Sequence, residues 1–383
     1  MIEPSSRLKN LATSVFSDLA EKKREKLEQG LDMIDLSIGS PDHAPPQFVR
    51  DCLAEEVKKA SQYGYAISST QEFKEAVCHY YRARYDVPLI PEEVLQLMGS
   101  QDGLAHIALA YLDKGDVIIA PDPGYPIYSA CAHLAGAELY LLPLNEENNF
   151  MPNVDDIPED IRRRAKIMIT NYPGNPTAAL ANEDYFKKLI QFGLKNKVLI
   201  LHDFAYSELI FDNNKPLSIL HVEGAKEIAI EFNSLSKSFN MAGARIGYVV
   251  GSPTLLAPLA IVKSHVDYGV FQPIQKAASV ALTSDYQFLE EHRNTYEARR
   301  NVFVNTLHEI GWNVRKPDGG MFVWGKIPEQ FTSLDFSLRC IENGVIVTPG
   351  HAFGSVGEGY VRIALVQEEE KLIEAANRLK PLI

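Results

Sequence analysis

Lys237 stands in the segment EFNSLSKSFNMAGARIGYVVG (231–251), with Ser234 and Ser236 just before it and Arg245 eight residues after it. Serine hydroxyls and an arginine guanidinium are directional donors to phosphate oxygens. A partly desolvated lysine has its pKa lowered towards neutrality, and its free amine can then attack a carbonyl and form a Schiff base. The set can therefore hold a phosphate beside a reactive amine. The flanking runs EIAIEF and RIGYVVG read as strands, which puts the cluster at a turn between two sheet elements. A lone SxSK is common turn chemistry, so the reading depends on what the rest of the chain supplies.

Several other stretches carry groups of the right kind. MIDLSIGSPD (33–42) reads as a short strand entering a turn at Gly39 and Pro41. EVLQLMGSQDGLAHIALAYL (93–112) reads as a strand, the loop Gly99–Gly103 and a helix. A Gly-rich loop opening a helix offers backbone N–H groups and the positive end of the dipole to an anion. PDPGYP sets Tyr125 just after a tight turn, and KIMITNYPGNPTAAL is a buried strand ending in a Pro/Asn turn that contains Asn175. VLILHDFAYSELIF is a strand running into Asp203, followed by Tyr206. A carboxylate at the carboxyl end of a buried strand points into the crevice where α/β sheets bind ligands. Arg362 lies in GEGYVRIAL, inside an alternating strand, where a buried arginine is unusual unless paired.

The pattern S-x-S-K-x₇-R resembles the cofactor-lysine signature of the class I and II aminotransferases, pyridoxal-phosphate enzymes of fold type I. The other stretches match that family's motifs in order from about residue 30 to the end. The resemblance implies pyridoxal 5'-phosphate as cofactor, joined to Lys237 as a Schiff base. It implies a phosphate held by Ser100, Gln101, Ser234, Ser236 and Arg245, and Tyr125 stacked on the pyridine ring. Asn175 and Tyr206 would bond the phenolic oxygen, and Asp203 the ring nitrogen. Arg362 would fork the substrate's α-carboxylate in a bidentate geometry that lysine cannot copy, with Gly39 and Asn175 beside it. Tyr63 or Tyr65, in YGYAISST, corresponds to a tyrosine that in this family reaches the phosphate of the neighbouring subunit; the glycine that usually follows is absent here. Ala178 stands where the NPxNPTG signature has its final glycine. The wording is nearest to the branch with LL-diaminopimelate, methionine-regenerating and alanine-type aminotransferases, although Ala244 replaces that branch's usual tryptophan.

The elements that must position these groups follow an α/β rhythm. Residues 5–30 read as an amphipathic helix, with Leu8, Leu11, Val15, Phe16, Leu19 and Leu27 near helical spacing. Further helices are expected at about 46–60, 71–85, 253–265, 273–283, 285–310 and from 333. The basic pair Arg299 and Arg300 reads as a solvated helix face, and Lys263 as a solvated helix residue. A chain of 383 residues is too long for one ordinary core. The expected architecture is α/β. A large, mostly parallel α/β/α sheet domain would span 42–276, and a smaller α+β domain would combine 1–41 with 277–383.

Composition is that of a soluble globular protein, 46% hydrophobic and 23% charged, with a net charge of −12 that gives no support for a nucleic-acid or anionic-membrane partner. Cys52, Cys78, Cys131 and Cys340 show neither CxxC nor Cys/His metal spacing, so they read as reduced thiols, no metal site is suggested, and a cytoplasmic protein is expected. The implied activity is transfer of an amino group from an L-amino acid to a 2-oxo acid with ping-pong kinetics, by a homodimer. A pyridoxal-phosphate lyase cleaving a Cβ–S bond would use the same residues. A non-catalytic cofactor-binding protein is the third reading, and no attached DNA-binding region or basic patch favours it. The donor's side chain is the least legible part. Arg245 and Arg362 are already committed, and 263–278 offers Lys263 and His265 but no arginine. A tolerant pocket for neutral or long donors, rather than a strict aspartate specialist, is expected.

Overall fold

A computed structural model describes residues 14–383 and, before them, 2, 3, 5, 7, 8 and 11; the side chains of 14–18 and 20 are outside the described set. The strands, in chain order, are β1 (Ile34–Asp35), β2 (Val94–Leu97), β3 (Val117–Asp122), β4 (Glu138–Pro143), β5 (Ala165–Asn171) and β6 (Leu199–Asp203). They continue with β7 (Ala229–Ser234), β8 (Gly247–Gly251), β9 (Phe322–Lys326), β10 (Val345–Ile346), β11 (Thr348–Pro349) and β12 (Tyr360–Ala364).

Seven of them form one sheet in the order β2-β8-β7-β6-β5-β3-β4. β4, β3, β5, β6 and β7 pair in parallel, and β8 runs antiparallel to both its neighbours. The central strands are continuous apolar runs because both faces are covered. Ile119, Met168 and Ile200 face a core with the helices Gln71–Tyr85, Glu183–Asn196 and Gln272–Leu282. Their neighbours Ile118, Ile167, Ile169, Leu199 and Leu201 face the opposite core with Ser100–Tyr111, Ile127–Ala135 and Pro253–Val266. The fold is α/β, with the sheet between two helical layers.

Local signals start the helices where the chain must turn back. Thr70, Asn182 and Ser252 each accept a hydrogen bond from the backbone N–H three residues on, satisfying a donor the helix leaves free. Beyond the central sheet, β11-β12-β9 is antiparallel, and β1 pairs in parallel with β10. Ile34 is thus bonded into the same small sheet as Val345, from near the other end of the chain.

Three expectations need correction. The first helix is Ser14–Glu28, and residues 6, 9, 10, 12 and 13 of its expected start lie outside the described set. Leu8 and Leu27 are exposed, so only Leu19 of the described apolar positions is buried in it. Arg299 and Arg300 are not a solvated face: both are buried, because each has an acidic fork from another part of the chain. Arg299 bonds both oxygens of Asp42 at 2.8 Å, and Arg300 bonds Asp212 at 2.7 and 2.9 Å. Lys263 is buried as well, with its ammonium 2.5 Å from Asp102 and 2.6 Å from Asp267.

Candidate active site

The carboxyl ends of the parallel strands converge on a cavity of about 770 Å³. Its floor and walls include Gly39, Ser100, Gln101, Tyr125, Asn175, Asp203, Tyr206, Ser234, Ser236, Lys237, Arg245 and Arg362. These residues come from widely separated stretches of chain. Asp203 ends β6 and Ser234 ends β7, so strand register alone delivers both groups to the same edge. Tyr63 and Tyr65 are not brought in. They are 64% and 83% exposed, packed at 5.3 Å against Phe271 and Tyr268 respectively, on the surface.

Lys237 lies in the short helical turn that Ser234 caps, its hydroxyl accepting from the Ser236 N–H at 3.1 Å. The amine reaches the Gly39 carbonyl. Burial, then the charges of Arg362 and Arg245, pull its pKa down to about 8. Gly39 is required by space, because a Cβ there would run into the Phe322 ring.

Arg362 is fully enclosed. It donates to the Asn175 side-chain oxygen at 3.0 Å and the Ser37 carbonyl at 2.6 Å. The centres of the Phe322 and Phe353 rings lie 4.3 and 4.7 Å from its guanidinium carbon. Burial pulls its pKa down to about 10, and its Nε has no partner among the described residues. A positive, under-satisfied guanidinium in an apolar sleeve is set up to take a carboxylate.

Among the described residues, Asp203 is the cavity's one carboxylate, against the cations Lys237, Arg245 and Arg362. Burial pushes its carboxyl up, while the Tyr128 hydroxyl at 2.8 Å and the Ala205 N–H at 3.2 Å pull the other way. Asn175 donates to Tyr206 at 3.5 Å, and its own N–H is held by Asn171 at 2.7 Å. Burial pushes the Tyr206 phenol well above its usual range, so it is a neutral donor. Ala178, where the signature has glycine, adopts φ 57 and carries a left-handed strain of about 1–2 kcal/mol.

The residues fit pyridoxal phosphate on structural grounds. Arg245 lies across Gly99, whose φ is 80 and whose absent Cβ would sit 2.5 Å from the Arg245 Nη2. The Ser100 N–H, the serines of the lysine turn and that guanidinium form a cationic cradle open to a phosphate. The lowered amine and the buried carboxylate stand on the cavity wall beside it. Tyr125 lines the same cavity and donates to Gln101 at 3.1 Å.

Sequence reading missed Tyr128, Phe322 and Phe353. Tyr128 was detectable as a second tyrosine one turn after Tyr125, at the start of the helix Ile127–Ala135. The two phenylalanines had no signal of their own, since an aromatic in a strand reads as core.

Residues 31–379 match the family model for aminotransferase class I and II. The chain is 44% identical to an LL-diaminopimelate aminotransferase of Aquifex aeolicus over 385 residues, covering all of both chains. It resembles the apo structure of BacF from Bacillus subtilis, with 37% identity, a TM-score of 0.96, and coverage of 100% of this chain and 98% of that one. A probable N-succinyldiaminopimelate aminotransferase from Thermus thermophilus shares 36% identity and a TM-score of 0.92, over 97% of this chain and 100% of its own. With the cradle, the lowered amine and the enclosed arginine in one cavity, these matches place the chain in the class I and II aminotransferase family, as a pyridoxal-phosphate-dependent aminotransferase.

Proposed function

We propose that Lys237 takes the proton from the donor's Cα, that Arg362 holds the donor's α-carboxylate, and that Asp203 keeps a proton on the cofactor's ring nitrogen. Pyridoxal phosphate, when bound, supplies the ring that accepts the electrons left at Cα. Ser100, Gln101, Ser234, Ser236 and Arg245 would hold its phosphate, Tyr125 its ring face, and Asn175 with Tyr206 its phenolic oxygen. The observation that carries this assignment is the Lys237 amine, lowered to about 8 and set between Arg362 and Arg245 in one cavity. An amine of that pKa is free in a useful fraction near neutral pH, and a matched pKa is what a general base needs.

For the donor we infer a neutral or long L-amino acid, such as methionine, alanine or diaminopimelate, rather than aspartate. Lys263 cannot fork a distal carboxylate, since Asp102 and Asp267 already hold it away from the cavity. The names of the LL-diaminopimelate relatives support the long donor. A donor panel with 2-oxoglutarate and pyruvate as acceptors tests the assignment. Neutral and long donors should match or exceed aspartate in kcat/KM. An aspartate advantage over roughly a hundredfold, about 2.7 kcal/mol, refutes it.

We further take the protein to be a cytoplasmic homodimer, with domains 42–276 and 1–41 plus 277–383. The four free thiols and the pairing of β1 with β10 support compartment and domain division respectively. No described helix is long and apolar enough to cross a membrane. The dimer is supported by a cluster of exposed apolar groups, Tyr63, Tyr65, Ile67, Tyr268 and Phe271, too many neighbours for scattered surface residues. Sedimentation should show a dimer, with Tyr63 or Tyr65 reaching the partner's site. An active monomer defeats that assignment.

A further inference from the structure

The helix Gln287–Glu309 touches the lysine segment from outside the cavity. His292 is buried, and its Nε2 lies 2.8 Å from the main-chain carbonyl of Lys237. A carbonyl only accepts, so Nε2 carries the proton and donates. Burial pulls the imidazole down to about 4, which keeps it neutral across the working pH range. The ring has little freedom. It stacks on Phe288 at 5.5 Å and 13°, Phe288 stacks in turn on Phe239, and Tyr296 meets the imidazole edge-on at 5.0 Å. Positions 288, 292 and 296 fall on one helical face, so the column is rigid along the helix. Farther along the same helix, Arg299 grips both oxygens of Asp42 at 2.8 Å. Asp42 closes the segment whose Gly39 carbonyl receives the Lys237 amine.

We propose that His292 is a positioning residue for Lys237. Its Nε2–H holds the lysine's own main-chain carbonyl, while the same helix, through Arg299 and Asp42, fixes the strap on which the amine rests. One rigid helix thereby sets the distance between the lysine's backbone and its amine's resting point. The amine must swing between that point and the donor's Cα, and a small drift of its anchor misplaces the proton transfer while leaving the carboxylate fork at Arg362 intact. The effect belongs in kcat rather than KM.

This inference rests on the assignment of Lys237 as the proton carrier. The test compares the parent with His292→Phe, which keeps an aromatic ring and loses the donor, and His292→Gln, whose amide can donate from nearly the same place. His292→Phe should lose roughly 10- to 100-fold in kcat with donor KM within about threefold, the size expected for an ångström-scale misplacement. The pH midpoint for capture of pyridoxal phosphate by the apoprotein, read by absorbance, should also move up, as a displaced amine regains water. His292→Gln should restore kcat to within about threefold of the parent. Should His292→Phe fail to fold, His292→Asn, too short to reach the carbonyl, takes its place. Unchanged kcat and midpoint in the donor-less variant, or a His292→Gln variant as slow as it, overturns the proposal. Turnover surviving in Lys237→Ala would instead overturn the underlying assignment, so the two failures are distinguishable.

Discussion

Lys237→Ala is expected to lower turnover by about 10⁴-fold or more, since on the proposed assignment one side chain supplies both the attacking amine and the general base. The fold should survive. Lys237 is a cation pulled well below its ordinary pKa by burial, so its removal relieves an enclosed charge between Arg362 and Arg245. Pyridoxal phosphate should still bind, held by the cradle around Arg245, but without a covalent link. Borohydride treatment followed by intact mass measurement separates the cases: the parent gains the cofactor's mass and the variant does not. Activity retained in the variant removes Lys237 from the mechanism.

The same amine predicts a pH dependence whose sign follows from its cause. Burial and two cations favour the uncharged form, lowering the pKa from 10.5 to about 8. Below that value the amine is protonated and cannot attack, so capture of the cofactor should slow by about tenfold per pH unit as pH falls. Above it the rate should level off. Arg362→Gln removes the larger of the two charge contributions, so it should move the midpoint upward, closer to an ordinary lysine.

Lys237, Asp203, Asn175 and Arg362 were readable because each sits where a strand pattern ends or a strand alternates, and a reactive group there has one place to point. Arg299 and Arg300 were misread because their burial depends on Asp42, 257 residues away, and Asp212, 88 residues away. No local pattern distinguishes an arginine that finds such a fork from one that meets water. Lys263 failed for the same reason: Asp267 is a helical neighbour, but Asp102 lies 161 residues earlier and closes the clamp. Tyr128 is the reverse case. Its helix-start position was visible, but its task is defined by Asp203, 75 residues on. The groups carrying charge or a reactive amine were legible, whereas those that orient or sheath them, Tyr128, Phe322 and Phe353 among them, required the tertiary pairing.

Asp203→Asn should lower kcat by roughly 10²- to 10⁴-fold while changing donor KM far less, because the lost charge acts on the electron-accepting state rather than on substrate binding. The surroundings of the carboxylate sharpen the reason. Burial alone pushes the Asp203 carboxyl towards its protonated, uncharged form, and a neutral acid could not hold a proton on a ring nitrogen. Tyr128 and the Ala205 N–H both donate to the carboxylate and oppose that drift, one to each oxygen. A protonated ring nitrogen would add the missing cation and complete the pairing that a buried charge requires. The substituted amide keeps the side chain's shape but carries no charge and accepts at one atom only, so either Tyr128 or the Ala205 N–H loses its acceptor along with the lost electrostatics. The visible band of the bound cofactor should change its pH response in this variant, because the nearest anion has gone. A kcat equal to the parent's, with KM raised instead, would show that Asp203 binds substrate and is not the ring's partner.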